Sequence, residues 1–393
     1  MQTFAILGSH PTLSLAELAV MTGQKPTTTH RDVAIFDSIE MDISQLNERL
    51  GGVQKLGVIV GSVSKWNHEE LATFIASDLI ANIETGKISF GFSVYDMGND
   101  SASTEARRNT QALGIQTKKH LKEAERSARY VISKSPTLSS IVLKTNHLID
   151  RGAEYCFFMT PTEIIIGRTI AVQDAEAWST RDFGRPRRNA KQGMLPPKLS
   201  RMMLNLAGIN LSQATVFDPF CGSGTILMEA ALLGAKSLIG SDINEEAITD
   251  TEENLVWLKA QGATVPPTQL VAASAQTVAP QIELESVDLI ATETYLGRPR
   301  RGSETRKEVE DAISYVANLY HEAFGALLPT LKSGATLIIA APVHTFEGAD
   351  IGFDARTILE PLGYTHSPLP FEPIIYRHND QLVGRRIWRF IKK

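Results

Sequence analysis

Cysteine is nearly absent from this 393-residue chain, which has only Cys156 and Cys221. Two cysteines build no disulfide framework and fit a reducing cytoplasm. No cluster of cysteine and histidine shows zinc-site spacing, so no metal is expected. No apolar run approaches the roughly 20 residues that cross a bilayer. The opening residues, Met1-Gln2-Thr3-Phe4-Ala5-Ile6-Leu7-Gly8, have no basic flank and too short an apolar core for a signal peptide. Repeats and low-complexity tracts are missing too. The expectation is a cytoplasmic globular protein without a membrane segment. Its length allows two or three domains, and 43% hydrophobic with 21% charged residues is ordinary for that class.

A basic excess is also missing. The formal net charge is −5, a weak argument against a nucleic-acid partner. The distribution points the other way. Ser101 to Ser200 holds 17 Lys and Arg against 9 Asp and Glu. An acidic chain with one basic segment suggests a localised surface for a polyanion.

Read in order, Thr3 to Leu7 is a strand, and Ser14 to Glu17 reads as a capping box opening a helix that Gly23 ends. Val33 to Phe36 is a strand, Ile43 to Leu50 a helix and Lys55 to Val63 a strand. Residues 1–65 therefore read as a small α+β domain of ferredoxin-like type. Residues 66–175 form a second unit. It has a helix at Glu69 to Ile83, a strand at Ile88 to Tyr95 and a long helix over roughly Glu105 to Arg126, with Gly114 as its weak point. That helix carries Arg107, Arg108, Lys118, Lys119 and Lys122 as candidate RNA contacts. Tyr130 to Ser133, Ser140 to Lys144, Tyr155 to Met159 and Glu163 to Ile170 read as strands.

Residues 176–198 are a linker rich in Pro, Gly and Arg. Arg181, Arg185, Arg187, Arg188 and Lys191 are its candidate phosphate contacts, since a guanidinium fork matches phosphate oxygens. Residues 199–393 read as an α/β Rossmann-like domain with a seven-stranded sheet and a reversed last strand. Ile374 to His378 and Arg385 to Ile391 would form a terminal hairpin about Asn379-Asp380.

The centre of that domain is Val216-Phe217-Asp218-Pro219-Phe220-Cys221-Gly222-Ser223-Gly224-Thr225. It reads as strand, glycine turn and helix start. Gly222 and Gly224 allow the tight turn and close approach of a ligand to the backbone. Asp218 at the turn argues against a phosphate cradle, which wants bare amides and a lysine. The G-x-G-x-x-G spacing of a dinucleotide turn is missing as well. Asp242, just past the next strand, is placed to accept ribose hydroxyls. Two acids around a Gly-Ser-Gly turn resemble the S-adenosylmethionine site of Rossmann-like methyltransferases.

Three runs together make the resemblance specific. They are R-D-F-G-R-P-R-R with G-M-L-P-P-K-L, then D-P-F-C-G-S-G-T-I-L-M-E-A, then G-S-D-I-N. They resemble the THUMP-domain tRNA guanine-N2 methyltransferases of archaeal and eukaryotic type, which act at tRNA position 10. The resemblance implies S-adenosylmethionine as cofactor, tRNA as partner and an N-terminal half that grips the tRNA; a small activator subunit stays open. It implies cofactor contacts from Asp218, Pro219, Phe220, Gly222, Gly224, Thr225, Asp242 and Ile243. Ser274 stands where the family usually has a third acid. The family's D-P-P-Y loop is replaced by Thr292-Glu293-Thr294-Tyr295-Leu296-Gly297. Glu293 then stands as the acceptor for an exocyclic amine, and Tyr295 as the ring that stacks on the base. Without the prolines, the loop is expected to lose rigidity. Arg298, Arg300 and Arg301 follow as candidate contacts to flanking phosphates. Cys221 reads as packing. Two alternatives remain open: an N6-adenine methyltransferase acting on RNA or DNA, and a tRNA-binding protein with a diverged site.

Overall fold

A computed structural model of the chain describes residues 1–188, 194–298, 300–378 and 381–393. Two units emerge. One comprises Met1–Pro11 with Thr22–Ala175, the other Thr12–Met21 with Glu176–Lys393.

The first unit is built on one eight-stranded sheet. Its spatial order is Thr28–His30, Val33–Phe36, Thr3–Leu7, Val53–Val63, Ile164–Val172, Gly152–Met159, Ile88–Asp96 and Ala128–Val131. Strands from residues 1–65 and from residues 66–175 join through the antiparallel pairing of Val53–Val63 with Ile164–Val172. Helices His68–Asn82 and Asp100–Glu123 supply Leu71, Ile75, Leu79, Leu113 and Leu121 to a core with Phe90 and Phe157. Gly114 does not break the long helix. A Cβ there would lie 2.5 Å from the Tyr130 ring, so the glycine lets helix and aromatic pack closely. Ser140–Thr145 is a helix rather than the strand its β-branched pair suggests. Ser139 caps it by accepting from the Val142 amide, and Leu143 is fully buried, so capping and packing override propensity.

The second unit has the doubly wound sheet. The order is Thr268–Ala272, Ser237–Asp242, Thr215–Asp218, Val287–Glu293, Leu331–Phe346, Val383–Lys392, Tyr364–His366. The first five run parallel. Val383–Lys392 runs antiparallel between its two neighbours. The reversed last strand of the sequence reading is present, but it is inserted next to last. Its partner Tyr364–His366 is three residues long, too short to read as a strand from sequence. Ile374–Tyr376 pairs antiparallel with Val383–Lys392, as the hairpin reading expects; Asn379-Asp380 lies outside the described residues. The sheet is packed on both faces, one around Val216, Leu227, Leu238, Leu289 and Ile338, the other around Phe217, Ile290, Tyr320, Phe324 and Trp388. That double burial explains the near-continuous apolar reading of the central strands.

The helix Pro11–Thr22 does not begin with a capping box. Pro11 opens it, Ser14 is buried inside it, and Gly23 closes it at φ 70° as expected. Its residues Leu13 and Ala16 belong to the core of the second unit. Its fully buried Glu17 accepts from Asn205 Nδ2 at 2.7 Å.

Candidate active site

The Thr215–Asp218 strand ends where its parallel neighbours also end, and the chain turns there through Pro219 to Gly224. In open parallel sheets this carboxyl edge is where ligands bind. Gly222 (φ 52°) and Gly224 (φ 80°) both have left-handed backbone. At Gly224 a Cβ would lie 2.8 Å from the Thr251 side chain, while at Gly222 it would meet nothing within 4 Å. The helix Glu245–Ala260 braces the turn: Thr251 Oγ1 donates to the Gly222 carbonyl at 2.7 Å, and Asn254 Nδ2 to the Ser223 carbonyl at 2.8 Å. Gly224 caps the Thr225–Leu232 helix.

A cavity of about 470 Å³ opens over this edge. Pro219, Phe220, Gly222, Ser223, Thr225, Asp242, Ile243, Ser274, Glu293 and Tyr295 line it together with Asp218. Gly224 does not line it and acts through the helix cap. Asp242 holds the second strand's end in place: its Oδ2 accepts from the Gly222 amide at 3.0 Å and its Oδ1 from the Asn244 amide at 2.9 Å. Each oxygen keeps further acceptor capacity. Ile243 beside it is 80% exposed, an unusual price for an isoleucine and a flat apolar face toward the cavity. Ser274 Oγ is hydrogen-bonded to Thr277 Oγ1 at 2.9 Å.

Asp218 is 2% exposed. Its Oδ1 accepts from Thr292 Oγ1 at 2.7 Å and from the Phe220 amide at 3.1 Å. Burial pushes its carboxyl up to about 7, against the pull of those two hydrogen bonds and with a push from Asp242 and Glu293. Cys221 is buried in the core, and burial raises its thiol, so it packs rather than reacts.

The loop after Val287–Glu293 is more firmly held than the absence of a Pro-Pro pair beside Glu293 suggests. Thr294 is buried and hydrogen-bonded to the Tyr320 hydroxyl at 2.7 Å. Glu293 is paired through Oε1 with Arg385 Nε. Arg300 Nη1 donates to the Thr345 carbonyl at 2.5 Å, and Glu304 accepts from the Arg301 and Gly302 amides. Four side-chain anchors do what a Pro-Pro pair does by ring constraint. Tyr295 is 42% exposed, and Tyr315 of the Arg306–Leu327 helix stands 6.2 Å from it at 82°. Both rings line the cavity mouth. Sequence reasoning missed Tyr315, Arg385 and Thr292. The Thr305–Glu308 capping box is readable and would have started the Tyr315 helix correctly, but nothing local marks Arg385.

The arginines separate into two groups. Arg185 is 3% exposed, with Nη1 donating to Thr225 Oγ1 at 2.8 Å. It is an internal brace and offers no surface charge. Arg181 lies over the Trp178 ring at 4.1 Å and pairs with Glu229 at 2.8 Å. Arg187 pairs with Glu253, also at 2.8 Å. Arg300 is the loop anchor just described. Arg188, stacked on Phe183, and the exposed Arg298 and Arg301 have no carboxylate side-chain ion pair among the described residues. Lys191 lies outside the described residues. In the first unit, Arg107, Arg108, Lys118, Lys119 and Lys122 are all exposed on the Asp100–Glu123 helix.

The sheet order and the glycine turn with its two acids define a class I, Rossmann-like methyltransferase fold. Residues 185–347 match the model of the UPF0020 family, an RMKL-like methyltransferase domain. The chain is 30% identical over 150 residues to the tRNA (guanine(10)-N2)-dimethyltransferase of Methanothermobacter thermautotrophicus, covering 38% of this chain and 39% of that protein. It is 36% identical over 118 residues to the enzyme of the same name from Methanocaldococcus jannaschii, covering 30% of this chain and 32% of the other. The chain thus spans 39% and 32% of the length of these two curated relatives. The fold also resembles that of TrmN from Thermus thermophilus, with TM-score 0.55, 15% identity and full coverage of both chains. Among the described residues no helix is long and apolar enough to cross a membrane.

The fold's cofactor is S-adenosylmethionine, and the cavity fits it. Its volume lies in the range of small-molecule sites, about 300–1,000 Å³. The open space above Gly222, the acceptor capacity of Asp242 and the exposed apolar face of Ile243 suit an adenosine with its ribose hydroxyls. No lysine or arginine is among the described residues that line the cavity, which suits a cationic sulfonium and argues against a phosphate.

Proposed function

We propose that this chain is an S-adenosylmethionine-dependent tRNA methyltransferase acting on the exocyclic N2 of a guanosine, with position 10 as the expected site. The observation that carries the reading is a single cavity lined by the cofactor turn, an acid at the end of the fourth strand and an exposed tyrosine. The names of the curated relatives support the choice of tRNA and guanine.

When bound, S-adenosylmethionine supplies a methyl group whose bond to sulfur breaks with both electrons staying on sulfur. Asp242 holds the ribose hydroxyls, and Ile243 packs on the adenine face. Ser274 offers a neutral, weaker contact where a third acid would be charged. Glu293 accepts a hydrogen bond from the guanine amine and takes its proton as the nitrogen forms its new bond to carbon. Tyr295 stacks on the base and keeps the amine in line. The exposed arginines Arg188, Arg298 and Arg301, and the basic face of the Asp100–Glu123 helix, bind the tRNA backbone.

The test is methylation of purified tRNA with labelled cofactor, followed by digestion to nucleosides and mapping of the labelled site. The expected label is in N2-methylated guanosine. Label in N6-methyladenosine, or cofactor binding by calorimetry without any transfer, would overturn the reading.

A further inference from the structure

Glu293 is the acid that the reaction needs free, yet it is held. Arg385, 6% exposed on the Val383–Lys392 strand, donates from Nε to Glu293 Oε1. The two residues are not on neighbouring strands. Glu293 lies beside Ala340 of the Leu331–Phe346 strand, and Arg385 lies opposite Pro342 of the same strand. Ala340 and Pro342 fall on one face by the two-residue alternation, and both are short. The guanidinium therefore reaches across a whole strand to the carboxylate. On its far side Arg385 is opposite Tyr376 in register and lies over that ring at 5.9 Å. Glu293 Oε2 takes no hydrogen bond from the described residues, and Glu293 lines the cavity.

We propose, resting on the methyl-transfer reading above, that Arg385 is a positioning residue that grips Glu293 by Oε1 and so aims Oε2 at the substrate amine. A glutamate has one more rotatable bond than an aspartate and no flanking proline here, so its carboxylate would otherwise wander. A guanidinium fixes direction as well as charge, because it is a planar fork. Arg385 also supplies the positive charge in a wall of acids. Arg385 from the reversed strand is the charged group that acts on Glu293, and Glu293 in turn pushes up Asp218 of the central strand, Tyr320 of the long helix and Tyr376 of the short edge strand. Burial raises the Glu293 carboxyl, and Arg385 pulls it back down.

The experiment is a double-mutant cycle with Glu293→Gln, Arg385→Met and the pair combined, with Arg385→Lys beside them. Single-turnover methyl transfer, cofactor Kd and Tm are read for each. Arg385→Met should slow transfer about 10- to 100-fold, the scale of a misplaced reacting group, with cofactor Kd little changed. Arg385→Lys should recover part of the rate. In the Glu293→Gln background, Arg385→Met should add little, because it acts through the carboxylate. Equal rates for wild type and Arg385→Met, or fully additive losses, would overturn the proposal. A second readout needs no substrate. The Glu293 carboxyl carbon, assigned by its loss in Glu293→Gln, is titrated by carbon-13 NMR in wild type and Arg385→Lys or Arg385→Met. Its midpoint should rise in Arg385→Met and stay near wild type in Arg385→Lys. An unchanged midpoint in Arg385→Met overturns the proposal even if wild type proves inactive on tRNA, a result that would by itself remove only the functional reading.

Discussion

The turn after Thr215–Asp218 and the loop after Val287–Glu293 border one cavity and are held by opposite means. The turn from Asp218 to Thr225 is held by backbone conformation and by one helix, through glycines with positive φ and the side chains of Thr251 and Asn254. The loop after Glu293 is held by groups from distant parts of the chain: the Tyr320 and Arg385 side chains and the Thr345 carbonyl. Local constraint tolerates little change in sequence, because each glycine is required by its own dihedral angle. Distributed constraint lets the local sequence vary, since anchors elsewhere supply the rigidity. The turn therefore depends on Gly222 and Gly224 themselves, while Thr292-Glu293-Thr294-Tyr295 is held without a proline of its own.

The largest effect should come from breaking the turn side. Asp242→Ala removes the partner of the Gly222 amide and, on the proposed function, the acceptor for a pair of ribose hydroxyls. Two charge-assisted hydrogen bonds at about 1.5 kcal/mol each weaken cofactor binding by about 100-fold. Calorimetry with S-adenosylmethionine reads this directly, and an unchanged Kd would take Asp242 out of the site. The loop side should respond differently. Tyr295→Ala should leave cofactor Kd alone and slow transfer to tRNA about 10-fold or more, as expected for a lost base stack of about 1–3 kcal/mol. Tyr295→Phe should keep most of the rate. A matched fall in cofactor affinity would show that turn and loop are not separable.

This contrast also explains what could be read in the sequence. Parallel strands buried on both faces and glycines at turn positions leave a local trace, so the second unit's sheet and the residues from Asp218 to Ser274 were legible. The reversed strand was legible as a hairpin, but not its insertion beside the three-residue Tyr364–His366 strand. Arg385 and Tyr315 were not legible, because an ion pair across a strand and a ring across a cavity depend on topology. The arginines show the same limit. Arg185 and Arg188 are three residues apart in one basic run, yet one is a buried brace and the other is exposed.

Asp218 sharpens the comparison through pH, because it is in hydrogen-bond contact with both sides, by Phe220 and by Thr292. Its folded-state carboxyl titrates near 7, above the ordinary value of 3.8. The folded protein therefore holds a proton that the unfolded chain releases over that window. Its contribution to stability is fully present below pH 3.8 and is lost as pH rises through about 7. Asp218→Asn, which keeps an acceptor for Thr292, should flatten this dependence in the cofactor-free protein and gain most in Tm at pH 8 relative to pH 5. Parallel Tm curves for the two proteins would show that Asp218 is charged in the fold throughout.

The smallest effects should come from the two arginines that looked alike. Arg188→Ala removes an exposed cation stacked on Phe183. It should weaken tRNA binding a few-fold, lower the slope of log affinity against log salt by about one, and leave Tm unchanged. Arg185→Ala instead removes the Nη1 bond to Thr225 Oγ1 at the start of the cofactor helix. It should lower Tm and weaken cofactor binding while leaving the salt slope intact. Filter binding at several salt concentrations, run beside thermal melts, separates the two. A salt slope that drops for Arg185→Ala would mean that this arginine leaves its buried position when tRNA arrives.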